Sequence, residues 1–253
     1  MISMDFKPAL NKGKLLKRYK RFFADIEYNG EILIAHVPNT GSLKTVPLLE
    51  TDCYFSSSDD PNRKLKHTLE FINTPTGLAG TNTRTPNTIV HEALLEGLKG
   101  EFDFVQPELK ISDSTRIDFV LWSWLGTKGE EPKKLKYPDF LENKKLKLKF
   151  IEVKNVTMTD GQTALFPDGV TERGKKHLDE LAALSRRGFD TQILFTVQRE
   201  KVKSFTIAKD IDPNYFAAFN IALKAGVKAK AYSVLMDKKR ACLNTADPLK
   251  IKI

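Results

Sequence analysis

Cysteine and histidine are scarce in this chain and long apolar runs are absent, and each shortage removes a class of function. Only Cys53 and Cys242 occur among 253 residues. They lie far apart and form no ligand cluster, so both are expected to be reduced and buried, as in a cytoplasmic protein. The four histidines, His36, His67, His91 and His177, are dispersed, and none has a Cys or His neighbour at the spacing a zinc site uses. No stretch approaches the roughly 18 apolar residues of a membrane span. The start, Met1-Ile2-Ser3-Met4-Asp5-Phe6, lacks the basic opening and apolar run of a signal peptide. A cytoplasmic location is therefore expected, with no membrane partner and no small-molecule cofactor.

What is present is positive charge. Lys and Arg number 41 against 32 Asp and Glu, a net charge of +9, with a pI near 9.3. Such an excess favours a polyanionic partner, nucleic acid before an anionic membrane surface. Hydrophobic residues make up 41%, enough for a proper core in one large domain or two modest ones.

The first third reads as β structure. Two strand-like runs, 22–28 and 31–37, flank Asn29-Gly30, the strongest short hairpin signal because both turn residues must accept positive φ. Pro38-Asn39-Thr40-Gly41 closes this unit, and further strands are expected over 52–57, 65–73 and 78–83. Short strands with frequent turns suggest a small barrel or sandwich, and a five-stranded OB-type barrel fits. The pattern changes at Thr85-Pro86-Asn87, where a proline suited to a first helical turn opens a helix running to Gly97. Strands follow over 102–109, 115–125 and 147–156, then a helix over 171–187 stopped by Gly188 and a strand over 191–197. Asp212-Pro213 starts another helix ending near Gly226, and 227–235 is expected to be the last strand. This is an α/β unit with a mixed sheet, separated from the first unit near residue 84.

Two segments of the second unit carry chemistry. Asp118 sits in the apolar run Arg116-Ile117-Asp118-Phe119-Val120, and Glu152 and Lys154, two apart in a strand, project to the same side. Two carboxylates and a lysine suit magnesium-assisted attack on a phosphodiester: the acids hold a hard cation, and the ammonium orients or helps deprotonate the attacking water. Alternate charges on the solvated face of an edge strand give the same pattern. Between these strands, 126–145 is rich in lysine and bears proline. It is either a mobile surface insertion or an arm reaching a phosphate backbone.

Two basic segments are candidate DNA contacts, and a third is not. Lys17-Arg18-Tyr19-Lys20-Arg21 surrounds a tyrosine with four cations, in a region holding seven basic residues against one acid over 1–21. A solvated strand lead-in is the alternative. Arg173, Lys176 and His177 stand at the start of the 171–187 helix, where main-chain amides attract phosphate. Arg63, Lys64 and Lys66 read as ordinary surface.

The chain resembles the sugar fermentation stimulation protein A (SfsA) family over nearly its whole length. The likeness rests on Lys17–Phe22 with Ala24-Asp25, on Pro38–Gly41, on Arg116–Phe119 and on Ile151–Lys154. Its most specific stretch is Phe166-Pro167-Asp168-Gly169-Val170-Thr171-Glu172-Arg173-Gly174-Lys175-Lys176-His177-Leu178. The resemblance implies an N-terminal OB-like, nucleic-acid-binding β-barrel over 1–84 and a PD-(D/E)XK nuclease-like α/β domain over 85–253. It implies DNA binding with weak sequence preference and a link to regulation of sugar (maltose) utilisation; an active Mg²⁺- or Mn²⁺-dependent DNA nuclease is the alternative. Asp118 takes the place of the first metal-binding acid, with Ile117 where the superfamily name has proline. Glu152 and Lys154 take the E-x-K places, and the carbonyl of Val153 completes the metal set. Glu92 matches an additional helix acid of many such nucleases, or is a solvated carboxylate. The 126–145 connection departs from the family by its length.

Overall fold

The computed structural model describes residues 3–253. After a two-residue strand β1 (Met4–Asp5), the chain forms β2 (Asn11–Tyr19), β3 (Phe23–Tyr28), β4 (Glu31–His36), β5 (Thr51–Ser57), β6 (His67–Thr74) and β7 (Gly77–Gly80). Asn29 and Gly30, at φ 53° and 82°, make the tight β3–β4 turn expected of this dipeptide. The strands pair in the order β4-β3-β2-β5-β6, and a parallel β4–β6 pairing closes the circuit. The result is a closed five-stranded barrel of the OB type. Alternate residues, including Leu15, Ile26, Phe55, Leu69 and Ile72, fill its interior. Cys53 lies among them, its thiol pushed up to about 12 mainly by burial, so it is inert.

The second unit runs α1 (Thr85–Ala93), β8 (Phe104–Lys110), β9 (Arg116–Trp124), β10 (Leu146–Val156), β11 (Met158–Asp160), β12 (Thr163–Phe166), α2 (Glu172–Arg186), β13 (Asp190–Val197), β14 (Ser204–Ile207), α3 (Pro213–Lys224), β15 (Lys228–Met236), β16 (Arg240–Pro248) and β17 (Lys250–Lys252). Seven strands form a mixed sheet in the order β1-β16-β15-β13-β10-β9-β8, antiparallel over β8–β9–β10 and parallel over β10–β13–β15. α1 covers one face through Ile89 and Val90 against Phe119, Leu121 and Ile151. α2 and α3 cover the other through Leu178, Leu181 and Phe219 against Val120, Phe150 and Phe195. This is the helix, three strands, helix, strand order expected of the second unit, a mixed α/β domain. β11, β12, β14 and β17 form a small second sheet.

Three expectations need correction. The barrel does not begin at residue 1, because β1 pairs with β16 at the edge of the second sheet and Leu10 donates to the Lys238 carbonyl. The strand over 227–235 is not the last; β16 and β17 follow. Segment 126–145 is not a free loop. Leu135 and Phe140 are buried in the main core, and Gln106 both donates to the Leu135 carbonyl and accepts from its amide.

The two units are joined by a polar seam. The amide of Leu78 donates to Glu200 Oε2, and Gln198 Nε2 reaches the Asn82 carbonyl and Asn155 Oδ1. Arg199, only 3% exposed, donates to the carbonyls of Thr45 and Thr157 and to Thr76 Oγ1. A second contact joins two motifs distant in sequence. A Cβ on Gly41 would fall 2.6 Å from Asp168 Oδ2, so glycine at 41 lets the Pro38–Gly41 turn approach the Phe166–Gly169 turn without displacing that carboxylate.

Candidate active site

The site grows from the end of one β ladder. β9 and β10 pair from Trp124↔Leu146 to Phe119↔Ile151. One step further in that register sets Asp118 opposite Glu152, and facing residues of an antiparallel pair project to the same side. The main-chain bonding there is replaced by a side chain: Asp118 Oδ2 accepts the Val153 amide at 2.7 Å, and Oδ1 accepts from Asn87 Nδ2 of α1 at 2.9 Å. The carboxyl is nonetheless pushed up to about 6, by burial first and then by the charge of Glu152.

Glu152 is 3% exposed. Its Oε1 receives Lys154 Nζ at 2.5 Å and His177 Nδ1 of α2. Burial alone would raise this carboxyl, but the His177 bond and the Lys154 charge hold it below its ordinary value. Among the described residues Glu152 Oε2 is buried without a hydrogen-bond partner. Arg173 Nε stands 3.5 Å from His177 Nε2. Since Arg173 can only donate, the ring proton belongs on Nδ1 and is given to Glu152. Gly174 lets α2 sit this close: a Cβ there would lie 2.8 Å from the capping Thr171 Oγ1 and 3.1 Å from the Tyr215 ring.

Asp118, Glu152, Val153, Lys154, Arg173 and His177 line one cavity of about 600 Å³. Its ionic lining is balanced, with Lys110, Arg116, Lys154 and Arg173 against Glu108, Asp113, Asp118 and Glu152. A divalent cation would therefore turn it positive. Among the described residues no three His, Cys, Asp or Glu side chains form a metal cage.

The remaining expected residues divide. Glu92 is not in the cavity lining; burial and the nearby Asp5 raise its carboxyl, which sets it on the β1 side of α1. Asn87, which the sequence reading passed over, is the α1 residue that reaches the acids. His177 is buried and spent on Glu152, so it is not presented to a nucleic-acid backbone. Lys176 is exposed and donates to Ser114 Oγ at 2.7 Å. Arg18 is also spent, donating to the carbonyls of Arg21, Asn39 and Gly41. Lys17 pairs with Asp25 at 3.2 Å, and Tyr19 stacks on Phe23. Lys20 and Arg21 form an exposed turn at φ 48° and 64°. Arg21 lines a second cavity, of about 750 Å³, with Lys44 and the 166–171 turn.

Comparison with known proteins agrees with this architecture. The family model described as the SfsA N-terminal OB domain matches residues 16–81, and the sugar fermentation stimulation protein RE domain matches residues 84–240. The chain belongs to the sugar fermentation stimulation protein family. A sugar fermentation stimulation protein homolog of Bdellovibrio bacteriovorus is 47% identical over 242 residues, covering 90% of this chain and 92% of the relative. The homolog of Pelagibacter ubique is 42% identical, covering 93% and 94%. In fold, the chain is similar to SfsA of Pyrococcus furiosus, solved in complex with Ca²⁺, with a TM-score of 0.77, 24% identity and full coverage of both chains. Asp118 and Glu152 both lie inside the matched second domain. Among the described residues no helix is long and apolar enough to cross a membrane.

Proposed function

We propose that this protein binds DNA with weak sequence preference and that the Asp118–Glu152 cavity is a divalent-metal centre for phosphodiester hydrolysis. The observation that carries the reading is Glu152 Oε2, a buried, unpartnered carboxylate oxygen beside a second carboxyl that burial and like charge have pushed up to about 6. Two crowded acids with a free oxygen are relieved by a hard cation.

Asp118 and Glu152, with the Val153 carbonyl, would hold Mg²⁺ or Mn²⁺; the Ca²⁺ complex of the Pyrococcus furiosus relative supports a divalent preference. When bound, the ion polarises a phosphoryl oxygen and makes a nearby water more acidic. The chain supplies the rest. Lys154 keeps an ammonium where negative charge grows on the phosphate. His177 fixes the rotamer of Glu152, as groups bonded to metal ligands do. Arg116 and Arg173 line the cavity and suit the flanking phosphates. Lys20, Arg21 and Lys176 are exposed cations outside it available to further phosphates, and the link to sugar utilisation would follow from DNA binding.

The test incubates the protein with duplex DNA, single-stranded DNA and RNA in Mg²⁺ or Mn²⁺. Cleavage should be lost in Asp118→Asn, Glu152→Gln and Lys154→Ala, while binding in EDTA persists and weakens steeply with salt. Cleavage surviving all three substitutions, or none by the wild type in either metal, would overturn the hydrolytic part. Duplex affinity independent of salt would overturn DNA binding.

A further inference from the structure

A third cavity, of about 540 Å³, opens on the barrel where it meets the start of α1, lined by His36, Ser56, Arg63, Thr68, Glu70 and Arg84 among others. Its construction is specific. Glu70, 5% exposed, spends one oxygen on Ser56 Oγ at 2.7 Å and the other on Asn82 Nδ2 at 2.8 Å. Asn82 Oδ1 in turn accepts the Arg84 amide at 3.0 Å. The buried acid thus fixes the backbone that carries Arg84 and forms no ion pair with either arginine among the described residues. Arg63 Nη2 is steadied by Thr68 Oγ1 at 2.9 Å. Both guanidiniums face His36, whose ring is held below its ordinary value by burial, then by Arg84, then by Arg63.

Two guanidiniums that form no carboxylate ion pair among the described residues, with Glu70 feeling the charge of Arg63 but spending both oxygens on Ser56 and Asn82, suit a phosphate, which the planar fork of arginine grips in bidentate fashion. We propose that the His36–Arg63–Arg84 cavity holds one backbone phosphate of the nucleic acid, a subsite on the barrel separate from the Asp118–Glu152 cavity. This rests on the nucleic-acid reading above. The subsite is held in fixed relation to the hydrolytic strand: Gln198 Nε2 bridges the Asn82 carbonyl and Asn155 Oδ1, one residue past Lys154.

The test measures the salt dependence of oligonucleotide binding in EDTA for the wild type, Arg84→Gln, Arg63→Gln/Arg84→Gln and a control, Lys64→Gln/Lys66→Gln. The control removes the same charge from exposed lysines outside the cavity. Losing one duplex phosphate contact should lower the slope of log K against log salt by about 0.9, in the cavity variants and not in the control. Arg84→Gln keeps the inference testable if the double variant unfolds, since Arg84 makes no side-chain cap bond at the start of α1. Normal wild-type binding with equal slopes in all variants would overturn this subsite alone. No wild-type binding would overturn it together with the function proposed above. Inorganic phosphate bound by the wild type and lost in Arg84→Gln, with oligonucleotide slopes unchanged, would assign the cavity to a free anion and overturn the backbone reading.

Discussion

Asp118→Asn should stabilise the metal-free protein while abolishing its chemistry. Burial and Glu152 move the Asp118 carboxyl from its ordinary 3.8 to about 6, so above pH 6 the folded chain carries an ionised group that folding disfavours. The linkage corresponds to about 3 kcal/mol. The sign is that of an acid raised on folding: the cost is fully present above about pH 6 and is relieved as pH falls towards 3.8. Asparagine removes the charge and can still accept the Val153 amide, but its own amide then meets Asn87 as donor against donor. A net gain of roughly 1–2 kcal/mol at pH 8 is expected, shrinking as pH approaches 4. Glu152 works in the opposite direction, since its lowered carboxyl contributes stability that is lost only at pH below the ordinary carboxylate range. Urea denaturation in EDTA at several pH values measures the difference. A variant less stable than wild type at pH 8, or a gain that does not vary with pH, would refute the reasoning.

Three further outcomes follow from packing and hydrogen bonding. Arg199→Met leaves the Thr45 and Thr157 carbonyls and Thr76 Oγ1 without their donor and should cost about 2–4 kcal/mol. Barrel and α/β probes should then unfold at separate denaturant midpoints. Gly174→Ala gains helix propensity of about 1 kcal/mol, but its Cβ strikes Thr171 Oγ1 and the Tyr215 ring. A net loss of about 1 kcal/mol is expected from the weakened cap, visible as a lower thermal midpoint. His177→Ala should lower metal-dependent cleavage about 10- to 100-fold with the circular dichroism spectrum unchanged; unaltered cleavage would remove His177 from the account.

Local signals in the sequence were legible where chemistry and geometry coincide. Asn29-Gly30 marks its hairpin, and the Asp212 cap and Pro213 mark the start of α3, where Asp212 Oδ1 accepts the Tyr215 amide. The acids at 118 and 152 fall at corresponding points of two neighbouring strands. Long-range placement was less legible. Asn87 and Glu92 are five residues apart, about 140° around a helix, and only the packed sheet decides which faces the acids. Arg18 reads as an exposed cation until the Lys20–Arg21 turn and the Pro38–Gly41 turn bring main-chain carbonyls to its guanidinium. Segment 126–145 looks solvated by composition, yet two apolar side chains, Leu135 and Phe140, anchor it. Strand β16 escaped notice because only Ala241, Cys242 and Leu243 are buried along its length.

A crystal soaked in Mn²⁺ and measured for anomalous scattering at the manganese edge puts the main idea at greatest risk. A single strong peak within coordination distance of both Asp118 and Glu152, absent from the Glu152→Gln crystal, is the result expected. A peak bound elsewhere, or none at that pair of carboxylates at saturating metal, would contradict it.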